Sequence, residues 1–365
     1  MAMNDAALHF SRSYGQARAK FLAAAEGAGL DVESHAHPLL GRDGEALALD
    51  VALQGARDAK ALLILSSGCH GIEGYCGSGV QHALLGDAAW QRLLQTSGVA
   101  VLYIHALNPW GFSWWRRTTQ ENVDLNRNFH DFSQPLPANP GYDAIASLLV
   151  PPSWPPSAEV DAALQRHVAA HGLRALQQAA TSGQHDHPEG IFYGGRNPTW
   201  SQVTLRHVLQ EHGRQCARLG WIDFHTGLGP SGVGERIFAC RDDVAALVRA
   251  KAWWGERITS IYDGSSTSAL LTGLMWTVAY EECAQAEYTG IALEYGTVPV
   301  MEVLDALRAD QWLENHPEAG AAQREAIKQR MLAAFYTDTE AWKQAVLAQG
   351  IEAAMQAVAG LARGG

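Results

Sequence analysis

The 365-residue chain is 47% apolar and 18% charged, ordinary globular proportions that exclude a largely disordered protein. Its formal net charge of −11, with no Lys/Arg-rich run, excludes nonspecific nucleic-acid binding, which needs a basic face to displace counterions. The five cysteines are scattered and form no CxxC pair, which points to a reducing compartment and away from a cysteine-held structural metal.

The opening segment MAMNDAALHFSRSYGQARAKF has an early acidic residue and no apolar core of leader length. The uncharged stretch 264–280 is interrupted by Ser, Thr and Gly and is short for a bilayer. A cytoplasmic protein with no membrane partner is the expectation. Residues 5–28 have apolar positions at mixed three- and four-residue spacing and are predicted helical. Residues 46–53 (ALALDVAL) alternate, as a half-buried edge strand does. Continuous apolar runs at 61–65, 99–104, 219–224 and 291–293 suit central strands covered on both faces, with helical crossovers between them. The Ala-, Gln-, Glu- and Leu-rich stretch 321–361 is predicted helical. These elements predict an α/β fold with a single mixed, mostly parallel central sheet and helices on both faces. Residues 133–160 carry seven prolines and are expected to form a surface loop or insertion. Candidate site residues lie on both sides of that segment, so a single domain spanning 1–365 is expected.

The segment SSGCHGIEGYCGSG (66–79) places His70 and Glu73 directly after an apolar strand, among Gly68, Gly71 and Gly74. An imidazole and a carboxylate three residues apart meet one cation if the backbone bends sharply, and glycines permit that bend. Strand ends are where open α/β sheets place ligands. One H-x-x-E is expected about once by chance in a chain this size, and an incidental turn gives the same string. IDFHTGLGP (222–230) offers a third ligand, His225, again at a strand exit, with Asp223 placed to orient it. A lone His is more often a cap or core residue; the matched strand exits argue otherwise. A His–Glu–His set leaves one zinc position open, the arrangement of catalytic sites. In NPWGFSWWRRTTQENVDLNRNF (108–129), Arg116, Arg117 and Arg127 stand among aromatics, suited to carboxylates and oxyanions or else paired with Asp124. Glu294 in ALEYGT ends another apolar strand, where it can serve as a general base or simply pair with an arginine.

In this order the motifs resemble the zinc carboxypeptidase (M14) family, and particularly its bacterial DUF2817 branch. The strings that carry the resemblance are His70-x-x-Glu73, Arg116-Arg117, Asn126-Arg127 in DLNRNF, His225 in DFHTGLGP, and Glu294, within about residues 45–300. The resemblance implies one Zn2+ held by His70, Glu73 and His225, with Glu294 as general base. It also implies that Asn126 and Arg127 grip a substrate carboxylate, and that Arg117 or Arg116 polarises the scissile carbonyl. Arg117, nine residues before Asn126, has the spacing of shorter bacterial relatives and is favoured, whereas Arg116 follows a Trp as in the digestive ones. Tyr262, Tyr280 and Tyr288 are candidates for the family's substrate-capping tyrosine. The implied partner is a small peptide or an N-acyl amino acid with a free carboxylate. The implied activity is a metallocarboxypeptidase cleaving a C-terminal amide bond. One alternative is a deacylase of the aspartoacylase and succinylglutamate desuccinylase type; another is a catalytically silent binding protein. Cys69 is expected to be a packed strand residue, and His185 and His187 to be solvated. Trp110, Trp114, Trp115 and Trp154 are expected either to line the cleft or to lie in the core.

Overall fold

The computed structural model describes residues 6–363. Seven strands form one sheet: β1 (Val32–Leu40), β2 (Ala46–Gln54), β3 (Ala61–Ser67), β4 (Val99–His105), β5 (Arg218–Ser231), β6 (Gly234–Phe238) and β7 (Glu287–Gly296). Their order is β1-β2-β4-β3-β5-β7-β6. β4, β3, β5 and β7 run parallel, while β1 and β2 extend the sheet antiparallel at one side and β6 at the other. The fold is therefore the mixed, mostly parallel α/β sheet that the apolar runs imply.

Every residue of β3 (ALLILSS) and β4 (VAVLYIH) is buried, as continuous apolar runs in central strands require. On β5, alternation sorts side chains to opposite faces. One face packs helices closely: a Cβ on Gly77, in the helix Gly74–Gly86, would lie 2.6 Å from Ser67 Cβ and 2.8 Å from Phe224 Cβ. At Gly220 the neighbours are Leu63 from β3, Trp253 from the helix Val244–Trp254, and Leu361 from the helix Glu340–Arg363. The other face carries Trp221, Asp223 and His225, and lies under the helices Leu173–Thr181 and Val300–Asn315. The chain leaves β3 for β4 on one side and reaches β5 on the other. The β3/β5 boundary is thus a topological switch point, whose carboxyl-end crevice suits a ligand.

Several local expectations are corrected. Residues 46–53 form not an edge strand but β2, covered by β1, whose polar VESHAHPLL sequence gives no apolar signal. The helix expected over 5–28 is a 3-10 turn at Ala6–Leu8 followed by a helix at Tyr14–Gly27, which starts where Ser13 accepts from the Gln16 N–H; residue 5 lies outside the described residues. The stretch 321–361 holds two helices, Ala321–Phe335 and Glu340–Arg363. The second is long and apolar enough to cross a membrane by length and composition, yet half of its apolar window is buried against this fold. Within the Pro-rich stretch, the short helices Pro140–Asp143 and Ala146–Leu149 bury Tyr142, Ile145 and Leu149. The Arg308 guanidinium donates to the carbonyls of Leu148 and Leu149, tying the segment down.

The connection after β3 is held by backbone. Gly68, at φ 69°, turns the chain, and the N–H groups of Gly71 and Ile72 donate to the carbonyls of Arg117 and Arg116 at 3.1 and 2.8 Å. A Cβ on Gly71 would lie 2.1 Å from the Gly111 carbonyl carbon and 2.2 Å from the Phe112 nitrogen, backbone atoms with no freedom to move. Gly71→Ala is therefore expected to destabilise the protein by about 1–3 kcal/mol, as overpacking does. Urea unfolding checks this: an unshifted midpoint contradicts the close approach.

Candidate metal centre and cavity

His70 caps the 3-10 turn Gly71–Glu73 beyond β3 and Glu73 ends it, and His225 lies on β5 opposite Glu294 of β7. Nδ1 of His70 lies 3.0 Å from Glu73 Oε1, Nδ1 of His225 lies 3.1 Å from Glu73 Oε2, and the two Nδ1 atoms are 3.3 Å apart. All three side chains are at most 4% exposed. Ligand bonds of about 2.0–2.1 Å in a tetrahedron set donors about 3.3 Å apart. The contacts here are close to that spacing, with Glu73 turning one oxygen to each imidazole, and one donor atom from each of the three residues lies within 4.8 Å of the other two. The donor set, two imidazoles and a carboxylate with a position left over, suits zinc in a catalytic rather than a structural role.

The outer nitrogens of both imidazoles meet carboxylates. His225 Nε2 lies 2.5 Å from Asp223 Oδ2, and His70 Nε2 lies 3.1 Å from Asp124 Oδ1. These partners orient both rings so that Nδ1 is the nitrogen turned toward Glu73, and therefore the one a metal would take. Burial pushes the His225 pKa down, but Asp223 and Glu73 outweigh it and hold it well above the usual range. For Glu73, burial raises the pKa, and His70, His225 and Arg117 overcome that and lower it. Asp124 behaves alike: burial is overridden by Arg117, Arg127 and His70.

Arg117 joins these groups. It donates to Glu73 Oε1 at 2.8 Å and to Asp124 Oδ2 at 3.0 Å, and its Nη2 approaches His70 Nε2 at 2.8 Å. Its neighbour Arg116 points elsewhere, which is a correction to its candidacy. Buried at 3% exposure, Arg116 donates to Asp310 Oδ2 and Gln311 Oε1, both at 3.0 Å, on the helix Val300–Asn315. The two residues lie in an irregular, bent stretch after Trp115, and their guanidinium groups turn to different partners.

The cavity of about 180 Å³ is lined by His70, Arg117, Asn126, Arg127, His225 and Glu294. Arg127 donates from Nε to the Thr181 carbonyl and from Nη1 to the Asn126 carbonyl, both at 2.8 Å. Asn126 Oδ1 accepts from the Met275 N–H at 2.8 Å. Arg127 Nη2 and Asn126 Nδ2 take no partner among the described residues. Burial lowers the Arg127 pKa to about 10, so it stays cationic at neutral pH. Glu294 accepts from the Leu228 N–H at 3.0 Å, and its pKa is pushed up to about 8 by burial first and the Glu73 charge second.

Of the three candidate tyrosines only Tyr288 lines the cavity, and its buried hydroxyl has no hydrogen-bond partner. Tyr262 donates to the Cys240 carbonyl, and Tyr280 accepts from the Arg241 N–H. None of Trp110, Trp114, Trp115 and Trp154 lines the cavity; Trp221 and Trp276 do. Trp221 was legible in the β5 alternation, two positions before Asp223 and four before His225. Phe192, with Arg117 and Arg127 at 5.2 and 5.8 Å from its ring, was not, because it lies in a loop without periodic pattern. Cys69 is fully buried, as a packed residue. His185, expected in solvent, is buried, its Nδ1 2.6 Å from the Gly195 carbonyl, while His187 is partly exposed beside Asp143.

The Arg116 anchor has a pH signature. Burial raises the Asp310 pKa, but Lys328 and Arg116 outweigh it and leave it below the ordinary 3.8. A carboxylate with a lowered folded-state pKa stabilises above its unfolded value and loses that contribution as pH falls. The stability advantage over Asp310→Asn is thus expected to be full at neutral pH and to shrink as pH drops below about 4. Denaturation of both proteins across pH checks it; a constant difference contradicts the ion pair.

Three solved structures illustrate the comparison. Carboxypeptidase A from Helicoverpa armigera is 13% identical, with a TM-score of 0.45 over 88% of this chain and 74% of that one. Bovine thrombin-activatable fibrinolysis inhibitor, in complex with tick carboxypeptidase inhibitor, is 10% identical, with a TM-score of 0.49 over 98% and 99%. The ectoine utilization protein EutE from Ruegeria pomeroyi, in a product-bound structure, is 15% identical, with a TM-score of 0.37 over 78% and 67%. No curated protein matches the sequence. The family described as "Protein of unknown function (DUF2817)" matches residues 10–349, and the chain belongs to that family.

Proposed function

We propose that this protein is a zinc-dependent hydrolase that cleaves an amide bond next to a free carboxylate, as a metallocarboxypeptidase does. The observation that carries the reading is the triangle of His70, Glu73 and His225, in which each imidazole Nδ1 lies 3.0–3.1 Å from one Glu73 oxygen and the two Nδ1 atoms are 3.3 Å apart, opening on a cavity with Glu294 at its wall. Zinc held by that triangle supplies an electrophile that lowers the pKa of water and polarises a carbonyl.

The chain's own groups divide the remaining work. Glu294 takes the proton of the attacking water and returns it to the leaving amine. A proton affinity raised by burial suits a group that must hold a proton between those two events. Arg117 places a guanidinium beside the donor triangle, where negative charge develops on the carbonyl oxygen. Arg127 Nη2 and Asn126 Nδ2, bare toward the cavity, receive the substrate carboxylate. The apolar walls, with Leu271, Leu274, Trp276 and Ile237, receive the adjoining side chain and exclude water.

Glu294→Gln is expected to lower kcat by about 10²–10⁴-fold on peptide or N-acyl amino acid substrates while metal content is unchanged. Full activity in that variant, or no zinc in the purified parent protein, overturns the mechanism. Arg127→Ala removes a charge-assisted contact of about 1.5–3 kcal/mol, so KM for free-carboxylate substrates rises about tenfold or more, with little change for their C-terminal amides. An equal loss on both substrate types removes Arg127 from carboxylate binding.

A further inference from the structure

A second group of metal-type donors lies at the edge of the sheet, outside the cavity. β1 presents Glu33 and His35 toward the end of the helix Trp200–His212, which presents His207, Glu211 and His212. One donor atom each from Glu33, Glu211 and His212 lies within 4.8 Å of the other two. Two carboxylates near a surface are common without an ion. A buried imidazole with neither nitrogen hydrogen-bonded is not. The His212 side chain is only 3% exposed, and neither Nδ1 nor Nε2 has a hydrogen-bond partner. It is aimed into the acidic pair, with Nε2 3.5 Å from Glu33 Oε2.

We propose that Glu33, Glu211 and His212 form a second divalent-metal site of the zinc class, which clamps the β1 edge to the carboxyl end of the helix Trp200–His212. Three physical facts support it. The ion gives a bare His212 nitrogen the lone-pair acceptor it lacks, and it neutralises two carboxylates. The mixed nitrogen and oxygen set selects zinc-like cations over calcium or magnesium, which prefer oxygen alone. His212 is the last residue of its helix, where the backbone dipole is negative and favours a cation. Both carboxylate side chains are more than a third exposed, so they can close the remaining gap to the spacing of about 3.3 Å that tetrahedral coordination needs. His35 Nε2, buried without a hydrogen-bond partner and 3.0 Å from Glu33 Oε1, is the nearest candidate for a fourth position. His207, whose Nε2 is 3.7 Å from Glu211 Oε2, is the other. The competing cation is Arg57, which reaches Glu211 Oε1 at only 3.9 Å from an exposed position.

The test is zinc stoichiometry, measured by equilibrium dialysis at micromolar free zinc on the full chain. The parent is expected to bind two zinc ions and the Glu33→Gln/Glu211→Gln double variant one, with hydrolytic activity retained. His70→Ala/His225→Ala, which removes the donors assigned to catalysis, is expected to keep one ion, and that ion is lost when the two sets of changes are combined. Thermal unfolding gives an independent reading, since zinc should raise the Tm of the His70→Ala/His225→Ala protein but not that of the combined variant. Stoichiometry left unchanged by the Glu33→Gln/Glu211→Gln changes, in the parent and in the His70→Ala/His225→Ala background alike, overturns the proposal whatever becomes of the catalytic reading.

Discussion

Backbone pairing across β3, β5 and β7 sets Ser67 beside Phe224 and His225 beside Glu294, and the chemistry inherits its geometry from that register. Three parallel strands end at one edge of the sheet. Each delivers a functional group there: His70 three residues past β3, His225 on β5 and Glu294 on β7. Because side chains alternate along a strand, a slip of one residue in β5 would replace His225 and Asp223 with Phe224 and Ile222. The helix face forbids such a slip, since Phe224 is already packed against Gly77.

Electrostatic order follows from the same arrangement. Glu73, Asp124 and Asp223 are interleaved with His70, His225 and Arg117, and each carboxylate touches at least one cationic or potentially cationic group. An unpaired charge at this depth costs several kcal/mol, so the cluster is built as alternating partners. Glu294 stands apart, with only a backbone N–H as donor, and it is the carboxyl whose proton affinity rises rather than falls. Environment separates two glutamates that neighbour His225, one whose proton affinity falls and one whose proton affinity rises.

Much of this was legible in the sequence. Continuous apolar runs marked β3, β4, β5 and β7, because strands covered on both faces have no polar positions to interrupt them. Strand exits followed by glycines marked His70 and His225. The edge strands were not legible: β1 reads as polar, with a proline, because half of it faces solvent. Spacing favoured Arg117 over Arg116, but the ion pair that turns Arg116 away, with Asp310 194 residues distant, left no trace in the sequence. His185 was misjudged because its loop is polar in composition and yet buried beneath Gly194 and Gly195, where only tertiary packing decides.

The division of labour between β5 and the loop 261–276 bears on how such a protein can diversify. β5 carries Trp221 in the cavity wall, the carboxylate of Asp223 and the imidazole of His225 on one face, so an insertion or deletion there scrambles all three at once. The wall built from Ile261, Leu271, Leu274 and Trp276 belongs to a segment outside the sheet, and its side chains make none of the contacts that hold the donor triangle. Substitutions in that wall change the cavity's shape while the His70–Glu73–His225 cluster keeps its contacts. Under the proposed function, selectivity can drift in this architecture without the lineage passing through an inactive ancestor.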